Sequence, residues 1–214
     1  MNNKEFLLRL KTERLVAVIR GKSADEAIRT AEACAKGGVR IIEITFTVPE
    51  AEKLIAAMVK NFGGFVTVGA GTVLNEETAK LALDAGAEFV VSPHLDEKLV
   101  GRVLKQGVAC VPGILSPSEL VRAFAAGAEI VKLFPGDVAK PEGLKALRAP
   151  FPDAAIMPTG GVAYDNLDKW FAAGAVAVGA GGNLTSAAKI GDYEAVKREA
   201  ERWIERISAV KGKV

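Results

Sequence analysis

The chain is poor in the residues that hold metals and carry redox chemistry: one histidine and two cysteines in 214 residues. His94 alone cannot assemble a multi-histidine zinc site, and Cys34 and Cys110 form no CxxC pair. The expected chemistry therefore needs no metal. Two cysteines so far apart in sequence also lack the pattern of a disulfide framework, so a reduced, cytoplasmic setting is expected. Charge of one sign is missing too. Lys plus Arg number 28 against 26 Asp plus Glu, which excludes a basic field for nucleic acid and a polybasic membrane signal. No apolar run reaches membrane-spanning length, and Met1 to Arg14 mixes charges through its apolar residues, unlike a signal peptide. The first apolar strand candidate is followed by Arg20-Gly21-Lys22-Ser23 rather than GxGxxG, which weakens a dinucleotide-binding open sheet. No linker or composition break appears, so residues 1–214 are expected to form one domain.

Half of the residues are hydrophobic and a quarter charged, the balance of a globular chain with a large core. Four segments echo one another: Ala33-Cys34-Ala35-Lys36-Gly37-Gly38-Val39, Leu83-Asp84-Ala85-Gly86-Ala87, Phe124-Ala125-Ala126-Gly127-Ala128 and Phe171-Ala172-Ala173-Gly174-Ala175. Each closes a helical pattern with glycine, which tolerates positive φ at a helix C-terminus, and runs into an apolar strand. Strand candidates fall near 15–19, 40–46, 65–69, 88–92, 108–111, 129–134, 155–158 and 175–179. Short apolar strands alternating with amphipathic helices predict parallel βαβ units. Ser23-Ala24-Asp25-Glu26 and Ser116-Pro117-Ser118-Glu119 have the pattern of capping boxes, and Asn75 and Asp192 are further helix caps. The expected fold is α/β, a (β/α)8 TIM barrel with an extra helix over Lys4 to Thr12 before the first strand. The last helix, Tyr193 to Ala209, carries Trp203 and Ile207 on one face as packing residues.

One residue breaks the apolar pattern. Lys132 lies in Glu129-Ile130-Val131-Lys132-Leu133-Phe134, which otherwise reads as a buried strand. Burying an ammonium is costly, so such a lysine has a partner or acts as an uncharged nucleophile. Period-two alternation in Ile41-Ile42-Glu43-Ile44-Thr45-Phe46-Thr47 places Glu43, Thr45 and Thr47 opposite Ile42, Ile44 and Phe46. With the apolar set toward the helices, Glu43 points into the barrel, as Lys132 does if Val131 and Leu133 face outward. The pair fits Schiff-base chemistry with a carboxylate to move protons. The bland alternative is a buried ion pair without chemistry, although such pairs add little net stability.

Glycine turns follow three of the strands: Gly69-Ala70-Gly71-Thr72, Pro158-Thr159-Gly160-Gly161-Val162 and Gly179-Ala180-Gly181-Gly182-Asn183. In barrels, the loops after strands seven and eight commonly bind phosphate through uncovered main-chain amides. Thr72 offers a hydroxyl for a carboxylate or carbonyl, or simply starts a helix. Arg20, just past strand one, can pair with an anionic group or lie solvated on the surface. His94, after Pro93, reads as a loop histidine.

Glu43-Ile44-Thr45, Val68-Gly69-Ala70-Gly71-Thr72-Val73, Val91-Ser92-Pro93-His94, Val111-Pro112-Gly113, Val131-Lys132-Leu133-Phe134-Pro135 and Pro158-Thr159-Gly160-Gly161-Val162 together resemble the 2-keto-3-deoxy-6-phosphogluconate aldolase family, which includes enzymes that also cleave 4-hydroxy-2-oxoglutarate. The resemblance runs from about residue 14 to the last helix. It implies a homotrimeric class I aldolase, acting without cofactor on a small 2-keto acid. Lys132 would be the Schiff-base lysine and Glu43 the proton-transferring group. It further implies Thr72 at the pyruvate carboxylate, Gly160, Gly161, Gly181 and Gly182 at the phosphate, and Phe134 and Pro93 lining the pocket. Thr47 stands where some members carry a carboxylate-binding arginine, for which Arg20 is the available substitute. Gly182 stands where some carry a serine, leaving a weaker or main-chain phosphate grip. Two rival functions remain: a phosphosugar isomerase or epimerase with Glu43 as base, and a non-catalytic, natural or engineered, trimeric scaffold for a larger assembly.

Overall fold

The structure, a computed structural model, describes residues 1–211. Strands and helices alternate: α1 (Asn3–Glu13), β1 (Leu15–Ile19), α2 (Ala24–Lys36), β2 (Ile41–Thr45), α3 (Ala51–Phe62), β3 (Thr67–Gly71), α4 (Glu76–Asp84), β4 (Phe89–Val91), α5 (Glu97–Lys105), β5 (Ala109–Val111), β6 (Gly113–Ile114), α6 (Pro117–Ala125), β7 (Val131–Leu133), α7 (Gly136–Arg148), β8 (Ile156–Pro158), α8 (Leu167–Ala172), β9 (Val178–Ala180), α9 (Gly182–Thr185) and α10 (Tyr193–Lys211). Two 3-10 segments, Tyr164–Asn166 and Ser186–Ile190, flank the last strand-helix units. Among the described residues no helix is long and apolar enough to cross a membrane.

Every strand pairing is parallel. One sheet runs β5-β4-β3-β2-β1-β9 and a second runs β6-β7-β8. They meet at two seams. Thr159 bridges to Gly179, and the Val176 N–H donates to the Ile156 carbonyl at 3.1 Å. At the other seam only Pro112 separates β5 from β6. Its nitrogen has no hydrogen to donate, while its carbonyl accepts from the Lys132 N–H at 2.9 Å. The fifth expected strand, near 108–111, is β5, and β6 is a further short strand just past Pro112. The curled parallel sheets with alternating helices fit an α/β barrel.

The buried apolar residues divide into two clusters along the period of a strand. Leu15, Ala17, Ile19, Ile42, Ile44, Val131, Leu133, Ile156 and Val178 pack outward among the helices. Val16, Ile41, Phe89, Val91, Ala109, Val111, Ile130, Ala155, Met157 and Ala177 form the inner cluster. Side chains two apart on a strand share a face, so Glu43 follows Ile41 inward and Lys132 follows Ile130. Helix α1 adds Phe6 and Leu10 to the inner cluster, with the Phe6 ring stacked on Phe89 at 4.4 Å. The carbonyl of Met1 accepts from Ala109 N–H, and the Asn3 side chain accepts from Cys110 N–H and donates to the Gly127 carbonyl. These contacts hold α1 against the inner cluster.

Local chemistry explains most boundaries. Asn2 caps α1 in a capping box with Glu5, Ser116 does the same for α6 with Glu119, and Asn75 and Asp192 accept from Thr78 and Ala195 N–H. At α2 the expected box is half formed: Ser23 accepts from Glu26 N–H, but the Glu26 carboxylate takes the N–H of Lys22. The echoing glycines 38, 86, 127 and 174 all have φ between 87° and 98°, the conformation their position required. Strand starts moved later than expected. Val66, Ile130 and Ala177 are buried, yet they precede the strands, because hydrophobicity reports burial rather than ladder pairing.

Burial pushes the thiols of Cys34 and Cys110 up to about 12, so neither is a thiolate at neutral pH. Truncation of the ring that plugs the inner cluster, Phe6→Ala, should cost about 3–5 kcal/mol. Urea unfolding checks this, and a loss under about 1 kcal/mol would show that α1 is only loosely docked.

Candidate active site

Glu43 is the central residue of β2, in register with Val18 on one side and Gly69 on the other. Lys132 is the central residue of β7, between Gly113 and Met157. Both are buried, at 0% and 4% exposure. Lys132 Nζ lies 3.6 Å from Glu43 Oε1, close enough for an ion pair but too long for a good hydrogen bond. Neither Glu43 oxygen has a hydrogen-bond partner. A buried pair this poorly hydrogen-bonded does not recover the desolvation of two ions, so stability gives no reason for it. Its arrangement is that of a carboxylate and an amine held ready for a third party.

Glycine makes the space. A Cβ on Gly71 would collide with Glu43 Oε1, and one on Gly69 would collide with the Phe89 ring. The sequence suggested a strand-exit turn at Gly69-Ala70-Gly71. The structure corrects this: both glycines lie within β3, on the inward face, where they leave room for neighbouring side chains. Gly179 of β9 does the same for Thr159. Thr72 follows β3 at φ 56°, a strained position for a β-branched residue.

A cavity of about 220 Å³ opens at the strand ends, lined by neither Lys132 nor Glu43. It brings together Arg20, Phe134, Gly160, Gly161, Gly181 and Gly182 from the ends of β1, β7, β8 and β9. Phe134 connects this cavity to the pair, its ring centroid 5.3 Å from Lys132 Nζ. The exposed Thr47 lies past the end of β2, its hydroxyl 2.6 Å from that of Thr45, and lines an adjoining cavity instead. Thr72 and Pro93 line neither. Pro93 is half-buried and packs where a Gly113 side chain would be, one strand from Lys132. His94 is exposed, with Nδ1 2.9 Å from Ser92 Oγ. Among the described residues no three His, Cys, Asp or Glu side chains converge as a metal-holding group.

Two polar residues of this cavity had not been singled out. Thr159 is buried, and its hydroxyl has no partner. Its signal was available: alternation from Ala155 through Met157 carries it inward. Asn183 donates from Nδ2 to the Val162 carbonyl at 2.8 Å, tying the start of α9 to the loop after β8. That contact joins segments remote in sequence and left no local sign.

The family model for KDPG and KHG aldolases matches residues 7–199. The chain belongs to this aldolase family. Its members are lyases, and this chain is an aldolase-family enzyme. The 2-dehydro-3-deoxy-6-phosphogalactonate aldolase of Escherichia coli (strain K12) is 33% identical over 189 residues, covering 88% of this chain and 90% of that protein. The KHG/KDPG aldolase of the same organism is 34% identical over 201 residues, 92% of this chain and 93% of the relative. Among solved structures, KDPG aldolase from Legionella pneumophila, with pyruvate captured at low pH as a covalent carbinolamine intermediate, matches at TM-score 0.83 and 28% identity over 90% of this chain and 94% of that one.

The collision at Gly71 generates an expectation for this aldolase. Gly71→Ala should push the Glu43 carboxylate aside and lower aldol cleavage by about a hundredfold. Gly101→Ala, where an added Cβ meets nothing within 4 Å, serves as the control and should be neutral. Equal turnover of both variants in a steady-state pyruvate assay would refute the positioning argument.

Proposed function

We propose that the protein is a class I aldolase that cleaves 2-keto-3-deoxy-6-phosphogluconate to pyruvate and glyceraldehyde 3-phosphate, and by the same route 4-hydroxy-2-oxoglutarate to pyruvate and glyoxylate. The observation that carries this is the buried Lys132–Glu43 pair, 3.6 Å apart and otherwise unpartnered at the carboxylate. Uncharged Lys132 attacks the C2 ketone, and loss of water from the carbinolamine gives a cationic imine. Glu43, directly or through a water, accepts the C4 hydroxyl proton. The C3–C4 bond breaks, and its electrons pass into the imine to form an enamine. Protonation at C3 and hydrolysis release pyruvate and restore the amine. The imine is the electron sink, so the route calls for neither metal nor organic cofactor. The pyruvate carbinolamine captured in the Legionella enzyme supports a lysine route in the family.

Thr72 is proposed to hold the keto-acid carboxylate, with Pro93 and Phe134 as walls; Arg20, which lines the glycine cavity, is assigned to the anionic group at the far end of the substrate rather than to the carboxylate. The phosphate is assigned to the cavity lined by Gly160, Gly161, Gly181 and Gly182, where glycine leaves the main chain uncovered. With Gly182 lacking a hydroxyl, this phosphate grip is mainly main-chain, with Arg20 beside it, and Thr47 supplies no charge to the carboxylate. The phosphogalactonate named for one relative differs from the phosphogluconate at C4, whose hydroxyl Glu43 serves.

We further infer one domain over residues 1–214, closed as an eight-stranded barrel in which β5 and β6 are one strand interrupted at Pro112. A cytoplasmic homotrimer is the proposed state. Leu74, Leu81, Leu115, Val121 and Val138, each between 43% and 66% exposed, supply apolar surface for such contacts. Light scattering should report three chains per particle; a monomer would overturn the trimer, and a much larger mass would favour a cage-forming scaffold.

Reductive trapping tests the chemistry. Pyruvate plus borohydride should add its reduced mass to the peptide containing Lys132, and Lys132→Ala should abolish the adduct. Glu43→Gln should slow turnover by about 10²- to 10⁴-fold while trapping persists. Turnover without any adduct would point instead to isomerase or epimerase chemistry, with Glu43 as base.

A further inference from the structure

A second cavity, about 370 Å³, adjoins the first and shares Val18, Arg20 and Gly182 with it. We propose that it is a cationic subsite for the aldehyde half of the substrate, admitting acidic aldehyde fragments longer than the three-carbon phosphate. The proposal builds on the Schiff-base reading above.

Three segments remote in sequence each bring one cation to this wall. Arg20 comes from the end of β1, Lys22 from the turn into α2, and Lys189 from the 3-10 segment after α9. Among the described residues, none of these head groups has an ion-pair or hydrogen-bond partner. One carboxylate, Glu26, lines the cavity, and its Oε2 accepts the main-chain N–H of Lys22. The wall thus holds three cations against one carboxylate. That local excess equals the formal +2 of the entire chain. Like charges gathered without a counter-ion repel, and an anionic ligand removes that repulsion. Between the cations the lining is Val18 and Ala188, both buried and apolar, with the Thr47 hydroxyl beside them. A carbon chain ending in an acidic group matches this lining better than an inorganic anion does.

In the synthetic direction, the pyruvate enamine on Lys132 attacks the aldehyde carbon. A C–C bond forms, the aldehyde oxygen takes a proton from Glu43, and hydrolysis frees the product. A three-carbon phosphate ends in the first cavity. A longer fragment passes Arg20, the wall common to both cavities, and sets its acidic group between Lys22 and Lys189.

The test is the K22A/K189A double variant, with Arg20 kept because it also lines the first cavity. Both lysines are exposed, so the fold should persist, as a melting curve will show. With pyruvate as donor, kcat/KM for erythrose 4-phosphate should fall about tenfold, while values for glyceraldehyde 3-phosphate and glyceraldehyde stay unchanged. A parallel change for all three acceptors, no change for any, or turnover of glyceraldehyde 3-phosphate without turnover of erythrose 4-phosphate by the natural chain overturns the subsite. Calorimetry with 4-phosphoerythronate, which has no aldehyde, separates the two proposals. Weaker binding to the double variant upholds the subsite even where trapping on Lys132 fails, and equal binding refutes it.

Discussion

The buried contact between Lys132 and Glu43 is the interaction around which the rest of this molecule is arranged. Two ionisable groups at 4% and 0% exposure, with neither carboxylate oxygen hydrogen-bonded, form an unfavourable element in an otherwise apolar interior. Such an element persists only when its surroundings hold it. β2 and β7 hold the backbones, outward rows of Ile42 and Ile44 and of Val131 and Leu133 anchor the strands to the helices, and Gly71 leaves the volume the carboxylate occupies. The proposed imine chemistry gives this arrangement its reason, since an attacking amine and a proton acceptor must both be kept out of bulk water.

The same economy of volume recurs around the inside of the sheets. Inward positions are either large apolar side chains or glycines that make room for a neighbour. Phe6, Phe89, Val91 and Met157 fill the inner cluster, while Gly69 leaves room for the Phe89 ring, Gly71 for the Glu43 carboxylate and Gly179 for the Thr159 hydroxyl. Met157 is in register with Lys132 and Gly69 with Glu43, so packing residues and the charged pair share the same layers. The cationic wall adjoins the glycine-lined cavity at Val18, Arg20 and Gly182.

Much of this was legible before any coordinates. The echoing helix-glycine-strand units, the caps at Asn75, Ser116 and Asp192, and the inward placement of Glu43 and Lys132 follow from periods of 3.6 and 2 and from the φ that glycine permits. The family motifs were visible as short strings in order. Less legible were features made by two segments at once. Gly69 and Gly71 looked like a turn because a lone chain gives no sign of the Phe89 ring or the Glu43 carboxylate opposite. The half-formed capping box at α2 depended on which N–H, Ser23 or Lys22, came within reach of Glu26. Thr72 and Pro93 carry the family pattern yet stand outside both cavities.

By itself the sequence determined the alternation of elements, the two faces of each strand and the identity of the one charged pair in the apolar interior. These are local: hydrophobic period, capping chemistry and the cost of a buried charge act within a few residues. Tertiary structure decided the 3.6 Å approach of two residues nearly ninety positions apart. It also decided the break between β5 and β6 at Pro112, the collisions that require glycine inside the sheet, and the gathering of Arg20, Lys22 and Lys189 on one wall. Parallel pairing of strands remote in sequence sets those distances, and that pairing depends on many segments at once.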